Sequence, residues 1–555
     1  MLIEHLQAKH IDLLEQLPKE QLTALLALET DQGVNADALK KRVQVILDEI
    51  DWTTHRKELA NMIRTLLPIE QLVPECYADW RPIVSDAVSF IGTRLSSQRL
   101  IPKLIEQLLL AENTTLEQRL ILFIAKMPSL QKLGQVIARN RNLDPAFRTA
   151  LSKLENEIRD VEPEQIKIII QQQLGPLLKK HKVEIRNQIH AEASVCALQR
   201  FSWLNPASNK KEQGVFKVLK PQLKEYFKEE MELLLGLADY LESKKEQHTL
   251  SKVNLRAVFE DIRSLLEQEL DSEQEMQNLK DAYSRYQNSN GIRIPQLITP
   301  LSAPGIIAMS FEAGKKITDA YANNKKQQRS LSTRIIEALI AHPLFTTEEE
   351  AVFHADPHAG NLFVDETTHE LIILDWALTE RLDFEQRRKI ILLISALILR
   401  DEKLIQNVIM ELSDTDFSKD AQSKQKLQQQ IKKFMTQLAL FRLPSVQDVL
   451  SLLDTIILDG IQFSRPLLIF RKVLLTLDGV LYDVYANVSI ETDITQLVLE
   501  HLRDEMFGIN LMQATGPRLQ IPLTPIDTCS LIWSAQWYYL RNTLRASEQW
   551  FKLTR

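Results

Sequence analysis

Asp356 and Asn361 stand five residues apart in the segment Phe353-His354-Ala355-Asp356-Pro357-His358-Ala359-Gly360-Asn361. A carboxylate and an amide this close on one tight loop can approach the same phosphate from two sides. The carboxylate would sit near the attacking oxygen, and the amide oxygen would hold a metal that bridges the phosphates. Fourteen residues after Asn361, the apolar run Leu371-Ile372-Ile373-Leu374 delivers Asp375 at its end, as a strand that presents a second metal-binding carboxylate would. Two oxygen ligands suit a hard cation such as Mg2+ that keeps phosphate oxygens in its shell. Acidic loops are common, so it is the order and spacing of the three groups together that point to phosphoryl transfer.

Other elements must position these groups. Alternation in Val215-Phe216-Lys217-Val218 puts Lys217 on the face opposite Phe216 and Val218. A lysine so placed can hold nucleotide phosphates; alone it reads equally well as a solvated surface lysine, as Lys220 nearby does. Val183-Glu184-Ile185 reads as a strand before a small-residue loop, Gly214–Leu219 as a second strand, and Ile306–Met309 as a third that ends at Glu312-Ala313-Gly314. Residues 1–110 read as short amphipathic helices broken near Gly33, Pro68, Pro74 and Pro82. Further helices are expected over 113–182, with a turn at Arg141–Pro145, over 221–285, and beyond 330. A small mixed lobe followed by a large helical lobe, with an H-x-D-x4-N loop, predicts an α+β, bilobal protein-kinase-like fold. The expected division is a helical region 1–110, a helical extension 111–185, a small lobe 186–312, a large lobe 313–485 and a helical tail 486–555.

The segment His354–Asn361 resembles the H-A-D-P-H-P-G-N signature of the UbiB/AarF-type atypical kinases, with Ala359 in place of the proline. Four more segments agree in order. Lys132-Leu133-Gly134-Gln135 is similar to the family's K-x-G-Q motif, and Ala191-Glu192-Ala193-Ser194-Val195 to its alanine-rich loop. Glu269-Leu270-Asp271 is similar to its E-x-D motif, and Glu275 falls on its helix glutamate. The resemblance covers residues 110–400. It implies that ATP and Mg2+ are the cofactors, with Lys217 on phosphate and Glu275 paired to it. It gives Asp356 the catalytic-loop role and makes Asn361 and Asp375 the magnesium ligands. It also implies nucleotide contacts from Ala191, Ala193, Ser194 and Met309, and an extension helix that brings Lys132 and Gln135 over the site near Glu269 and Asp271. Such an arrangement blocks the usual protein-substrate groove and suits ATP hydrolysis linked to quinone or isoprenoid-lipid metabolism. The alternatives are a true Ser/Thr protein kinase and a nucleotide-binding scaffold without turnover. An intact set of Lys217, Glu275, Asp356, Asn361 and Asp375 argues against the scaffold.

Taken alone, Lys132–Gln135 would read as a helix C-cap with Gly134 ending the turn, and Glu269 and Asp271 as solvated helix charges. The sequence also departs from the family's pattern. Glu192 would be repelled by a triphosphate, so it is expected to point outward or the loop to sit differently. Trp376-Ala377 replaces Phe-Gly after the metal aspartate, which points to a loop less able to flip. Ser310 stands where the family has glutamate.

At 555 residues the chain exceeds one simple core. Its 45% hydrophobic and 25% charged residues are those of an ordinary globular protein, and only 14 glycines favour helices over a β-barrel. A net charge of −7 without a long basic stripe excludes a general nucleic-acid binder. Cys76, Cys196 and Cys529 form no CxxC pair, so neither a disulfide framework nor a structural zinc site is expected. The charged start has no signal-peptide core, and the longest apolar run, Ile390–Leu399, is too short for the ~20 residues of a membrane span. A cytoplasmic protein is therefore expected. Within 531–555, Trp533, Trp537, Leu540, Leu544 and Phe551 share one helical face beside Arg541, Arg545, Lys552 and Arg555. That face suits either docking on the large lobe or peripheral contact with an anionic inner membrane surface.

Overall fold

Apolar residues at helical spacing in the N-terminal part form α1 (Arg56–Leu66), α2 (Arg81–Arg94), α3 (Ser97–Leu108), α4 (Leu116–Ile124) and α5 (Pro128–Ala138). The computed structural model describes chiefly residues 56–138, 161–244, 255–438 and 444–496, with residue 45 and scattered positions of 522–536. The turn expected at Arg141–Pro145 and most of the helices expected before residue 56 lie outside the described residues. The chain divides into two compact units: 1–272 with 298–308, and 273–297 with 309–555.

In the first unit, α6 (Pro163–Lys180) leads into β1 (Glu184–Glu192), β2 (Cys196–Asn205) and β3 (Lys210–Leu219), followed by α7 (Leu223–Ser243) and α8 (Leu255–Leu270). The Glu162 side chain and Gln165 form a capping box that starts α6. Ile166, Ile170 and Leu174 of α6 then pack on Ala197, Phe201, Trp203, Phe216 and Val218 of the sheet. The fourth strand of that sheet, β5 (Ile306–Ser310), comes from later in the chain, after β4 (Ile292–Arg293); the order is β1-β2-β3-β5. β1 runs seven residues past the expected strand end at Ile185, and β2 lies within the stretch expected as a small-residue loop. Gln199 hides β2 in the sequence: it takes a buried core position that alternation would give to an apolar residue, and its amide donates to the Arg186 carbonyl.

The helices of this unit share a second core, including Leu95, Leu100, Leu104, Ile105, Met127, Leu234 and Leu266. A polar cluster is buried at its edge. Arg99 of α3 pairs with Glu230 of α7 and, at 3.1 Å, with Glu229. The second oxygen of Glu230 accepts the backbone N–H of Ser129 at 2.8 Å and its hydroxyl at 2.6 Å. A carboxylate thereby satisfies the open first turn of α5.

The second unit opens with α9 (Ser272–Tyr286), whose first residue belongs to the first unit. β4 continues into a sheet of order β4-β9-β8-β6, with β6 (Lys315–Lys316), β8 (Leu362–Val364) and β9 (Leu371–Ile373). α10 (Lys325–Ile336) runs through a π-turn, Glu337–Ala341, into a last turn His342–Phe345. β7 (Glu350–His354) pairs antiparallel with β10 (Thr379–Asp383), His354 opposite Thr379. Then follow α11 (Phe384–Ile398), α12 (Glu402–Leu412), α13 (Ala421–Gln437), α14 (Val446–Leu458) and α15 (Arg465–Val484). α11 to α14 build a core around Leu397, Ile405, Ile409, Leu427, Ile431 and Ile456. Leu531 is buried in that core, Ser534 Oγ lies 2.9 Å from Asp401 Oδ2, and Trp533 is 65% exposed. Leu531 and Ser534 thus touch these helices, while residues 537–555 lie outside the described residues. Among the described residues no helix is long and apolar enough to cross a membrane.

Candidate functional site

The β8–β9 hairpin is what brings the metal-ligand candidates together. Leu362 pairs with Ile373, so Asn361 precedes β8 directly opposite the end of β9. Leu374 N–H donates to the Asn361 carbonyl at 2.8 Å, and Asp375 is the next residue. Asp375 adopts φ +57°, a left-handed conformation that aspartate tolerates better than most residues. Its side chain is exposed, whereas Asp356 and Asn361 are buried. Asn361 Nδ2 donates to the Asp356 carbonyl at 3.2 Å, and this bond fixes which end of the amide is oxygen. The Asn361 amide oxygen and the Asp375 carboxylate are hard-oxygen donors of the kind that Mg2+ takes. Among the described residues no group of three or more His, Cys, Asp or Glu could hold a metal.

His354 tethers the Asp356 loop to the end of the hairpin. Its Nδ1 accepts the Asp356 N–H at 3.1 Å, and its Nε2 lies 3.1 Å from the Leu374 carbonyl. A backbone N–H can only donate and a carbonyl only accept, so the ring must be neutral with its proton on Nε2. Burial pushes the His354 imidazole below its ordinary value, consistent with that state. The segment after Asp375 is pinned as well. Trp376 is fully buried, its indole N–H donates to the Ile373 carbonyl at 3.2 Å, and its ring centroid lies 5.0 Å from that of His354. Asn278 of α9 donates to the carbonyls of Trp376 at 3.2 Å and Ala377 at 3.5 Å. This is the physical basis for a loop that resists flipping. Asn278, one turn after the buried Glu275 on the same helix, is a site residue the sequence reading missed; the three-residue spacing is the signal that could have found it. Lys472 of α15, whose Nζ lies 3.9 Å from Asp356 Oδ1, was also missed. No local spacing connects it to the loop.

Tyr286, two turns beyond Asn278, packs at a tilt against Trp376 and against His342, whose ring centroid is 4.5 Å away. Burial, with a smaller push from Arg285, lowers His342 to about 4. The folded state therefore binds fewer protons than the unfolded one between pH 6.5 and 4. The stability due to neutral His342 is complete above 6.5 and is lost as pH falls toward 4, about 3 kcal/mol in all. Urea unfolding from pH 7 to 4 should show this acid slope, and His342→Leu should flatten it by up to one proton.

In the first unit, strand register lines up the nucleotide candidates. Ala191 pairs with Leu198, and Leu198 with Lys217, so the three form one row across β1, β2 and β3. Phe216 and Val218 are fully buried in the α6 core, which leaves Lys217 on the opposite face, as alternation predicts. Ala193 and Ser194 form the turn between β1 and β2, where Ala193 N–H donates to the Cys196 carbonyl at 2.8 Å. Met309 stands in β5, and Ser310 Oγ lies 2.5 Å from Glu312 Oε1.

One expectation for this region is corrected: Lys220 is not a solvated surface lysine. Of the two alternatives for Glu192, it does not point outward. Lys220 Nζ lies 2.9 Å from Glu192 Oε1, and the two side chains are only 6% and 4% exposed. The Lys220 N–H also donates to the Val195 carbonyl at 3.0 Å, tying the end of β3 to the alanine-rich turn. The Glu192 carboxylate at the end of β1 is thus neutralised by the lysine that follows β3.

Lys132 of α5 pairs with Glu269 of α8, both largely buried. α5 continues through Gly134 to Ala138, so Gly134 does not end the helix. Gln135 lies in the same helix, and Asp271 follows the end of α8.

The sheet-containing region, the helical unit and the hairpin-held loop define a protein-kinase-like fold. Residues 153–409 match the model of the ABC1 atypical kinase-like domain. The chloroplastic protein Activity of BC1 Complex Kinase 7 of Arabidopsis thaliana is 29% identical over 286 residues, 51% of this chain and 39% of that protein. UbiB of Actinobacillus pleuropneumoniae is 25% identical over 239 residues, 42% of each chain. UbiB of Haemophilus ducreyi is 22% identical over 365 residues, 65% of this chain and 66% of that protein. The matches thus span about two-fifths of the first two relatives' own lengths. A solved Mycobacterium tuberculosis protein in complex with erythromycin aligns with 14% identity over 64% of this chain and 86% of that one, at a TM-score of 0.42, too distant to carry an argument. Over residues 153–409 the chain is thus similar to the ABC1 atypical kinase-like domain, and the relatives it matches include proteins named as UbiB and BC1-complex kinases.

Proposed function

We propose that this protein binds ATP with Mg2+ and turns it over as an atypical kinase or ATPase. The observation that carries the reading is the hairpin-held group of Asp356, Asn361 and Asp375, with the metal-facing oxygen of Asn361 fixed by its own amide bond. Asn361 and Asp375 would hold the magnesium, which supplies charge neutralisation for the phosphates. Asp356, kept in place through its N–H by neutral His354, would accept the proton of an attacking hydroxyl or water. Lys217 would hold phosphate and Glu275 would fix it. Ala191, Ala193, Ser194 and Met309 would line the nucleotide, and Gln135 and Asp271 would join the Lys132–Glu269 pair beside it. A role in quinone or isoprenoid-lipid metabolism is drawn from the resemblance, and peripheral contact with a membrane through 531–555 from the aromatic, basic-flanked face of that segment; both belong to this proposal.

Purified protein should hydrolyse ATP only with magnesium, and a phenolic quinone analogue or anionic liposomes should change the rate. Generic protein substrates should be phosphorylated weakly by the wild type. Lys132→Ala, which frees Glu269 and loosens α5, should raise that activity severalfold. Robust wild-type phosphorylation that the substitution leaves unchanged would favour a true protein kinase. Nucleotide binding without turnover would favour a scaffold.

A further inference from the structure

We propose that the cavity among α11, α14 and α15 binds a small neutral hydrocarbon that carries one carbonyl or hydroxyl oxygen. These helices carry none of the phosphate or metal ligands named above. The cavity holds ≈160 Å³ and its walls are almost wholly apolar, with Leu393, Leu397, Leu450, Leu453, Phe470 and Leu474 among them. A lining of this kind stays dry when empty, and a cavity of about 150 Å³ accommodates benzene. The room is therefore for about six to eight non-hydrogen atoms.

One polar feature breaks the apolar wall. Arg471 lines the cavity, and its Nε is shut off from solvent; among the described residues nothing accepts a hydrogen bond from it. A buried donor left without an acceptor is costly, and native structures rarely keep one without a reason. An oxygen on a molecule in the cavity would supply the acceptor.

Charge decides what kind of oxygen. Arg471 on α15 is already paired through its Nη2 with Asp454 of α14, so its positive charge is matched. Glu491 brings a carboxylate to the cavity wall itself, and Thr495 a hydroxyl. A carboxylate or phosphate brought here would face two acidic groups and lose its hydration. A ketone or alcohol accepts the one free N–H, needs no counter-charge, and leaves its alkyl part against leucines and isoleucines.

Full-length protein should be titrated with heptan-2-one and with heptanoate, following calorimetric heat and saturation-transfer NMR. Saturable ketone binding is expected, with heptanoate at least tenfold weaker. Leu453→Trp and Leu393→Phe fill the cavity and should abolish ketone binding while the far-UV spectrum and melting transition persist. If one of them fails to fold, the other decides. Arg471→Met keeps the apolar volume and should weaken the ketone about fivefold to tenfold, with little effect on a hydrocarbon probe such as benzene. The proposal is overturned if the ketone does not saturate, if heptanoate binds equally well, or if neither filling substitution affects binding. The first of those results would mean that the cavity is closed to small molecules or filled by the chain itself.

Discussion

Asp375→Asn should remove magnesium-dependent ATP binding and lower turnover by at least about a hundredfold while leaving the protein folded. The substitution is chosen for its backbone. Asp375 sits at φ +57°, where most side chains clash, and Asn is the residue that best keeps that conformation. Alanine would add backbone strain of about 1 kcal/mol and blur the reading. Asparagine changes only the charge and one oxygen of the candidate ligand. Trp376 stays buried, Leu374 N–H stays on the Asn361 carbonyl, and the hairpin keeps its register. Nucleotide affinity should be measured with and without magnesium, together with hydrolysis rate and thermal unfolding. Unchanged magnesium-supported affinity and turnover in the variant would show that Asp375 is not a metal ligand. A collapsed melting temperature would show instead that the carboxylate holds the loop rather than a cation.

How far the site could be read from the sequence depended on how local each relation is. His354, Asp356, Asn361 and Asp375 are separated by a loop and one tight hairpin, so spacing alone places them together, and the structure joins them through the Leu374–Asn361 bond. The face of Lys217 followed from alternation within one strand. The Glu192–Lys220 pair could not be read this way. It joins the end of β1 to the end of β3 across an intervening strand, and a lysine that follows an apolar strand looks solvated unless that register is known. β2 was missed because Gln199 interrupts its apolar alternation. Lys472 was missed because it reaches Asp356 by helix packing, from a helix that carries no motif. The helical extension was legible as helices, but the Arg99–Glu230–Ser129 cluster that anchors α5 was not, since each of its polar residues alone resembles a surface residue.

That cluster yields the largest stability effect expected in the molecule. Glu230 is fully buried, and burial pushes its carboxyl above the usual range while Arg99 and Ser129 pull it back. Arg99→Ala would leave this group facing the core without its cation, and a stranded buried charge costs about 3–5 kcal/mol. Glu230→Gln should cost less, because the amide oxygen can still accept from Ser129 and Arg99 keeps Glu229 as partner. The order of severity is the test: in urea unfolding of the full chain, Arg99→Ala should lower the midpoint of the earliest transition more than Glu230→Gln. The two substitutions should also reach beyond stability. Ser129 lies in the first turn of the helix that carries Lys132, so loosening that turn should weaken the Lys132–Glu269 pair. Protein phosphorylation by Glu230→Gln at a temperature where it remains folded should then shift in the same direction as in Lys132→Ala. Equal and small destabilisation by both substitutions would mean that the cluster is hydrated and does not anchor α5.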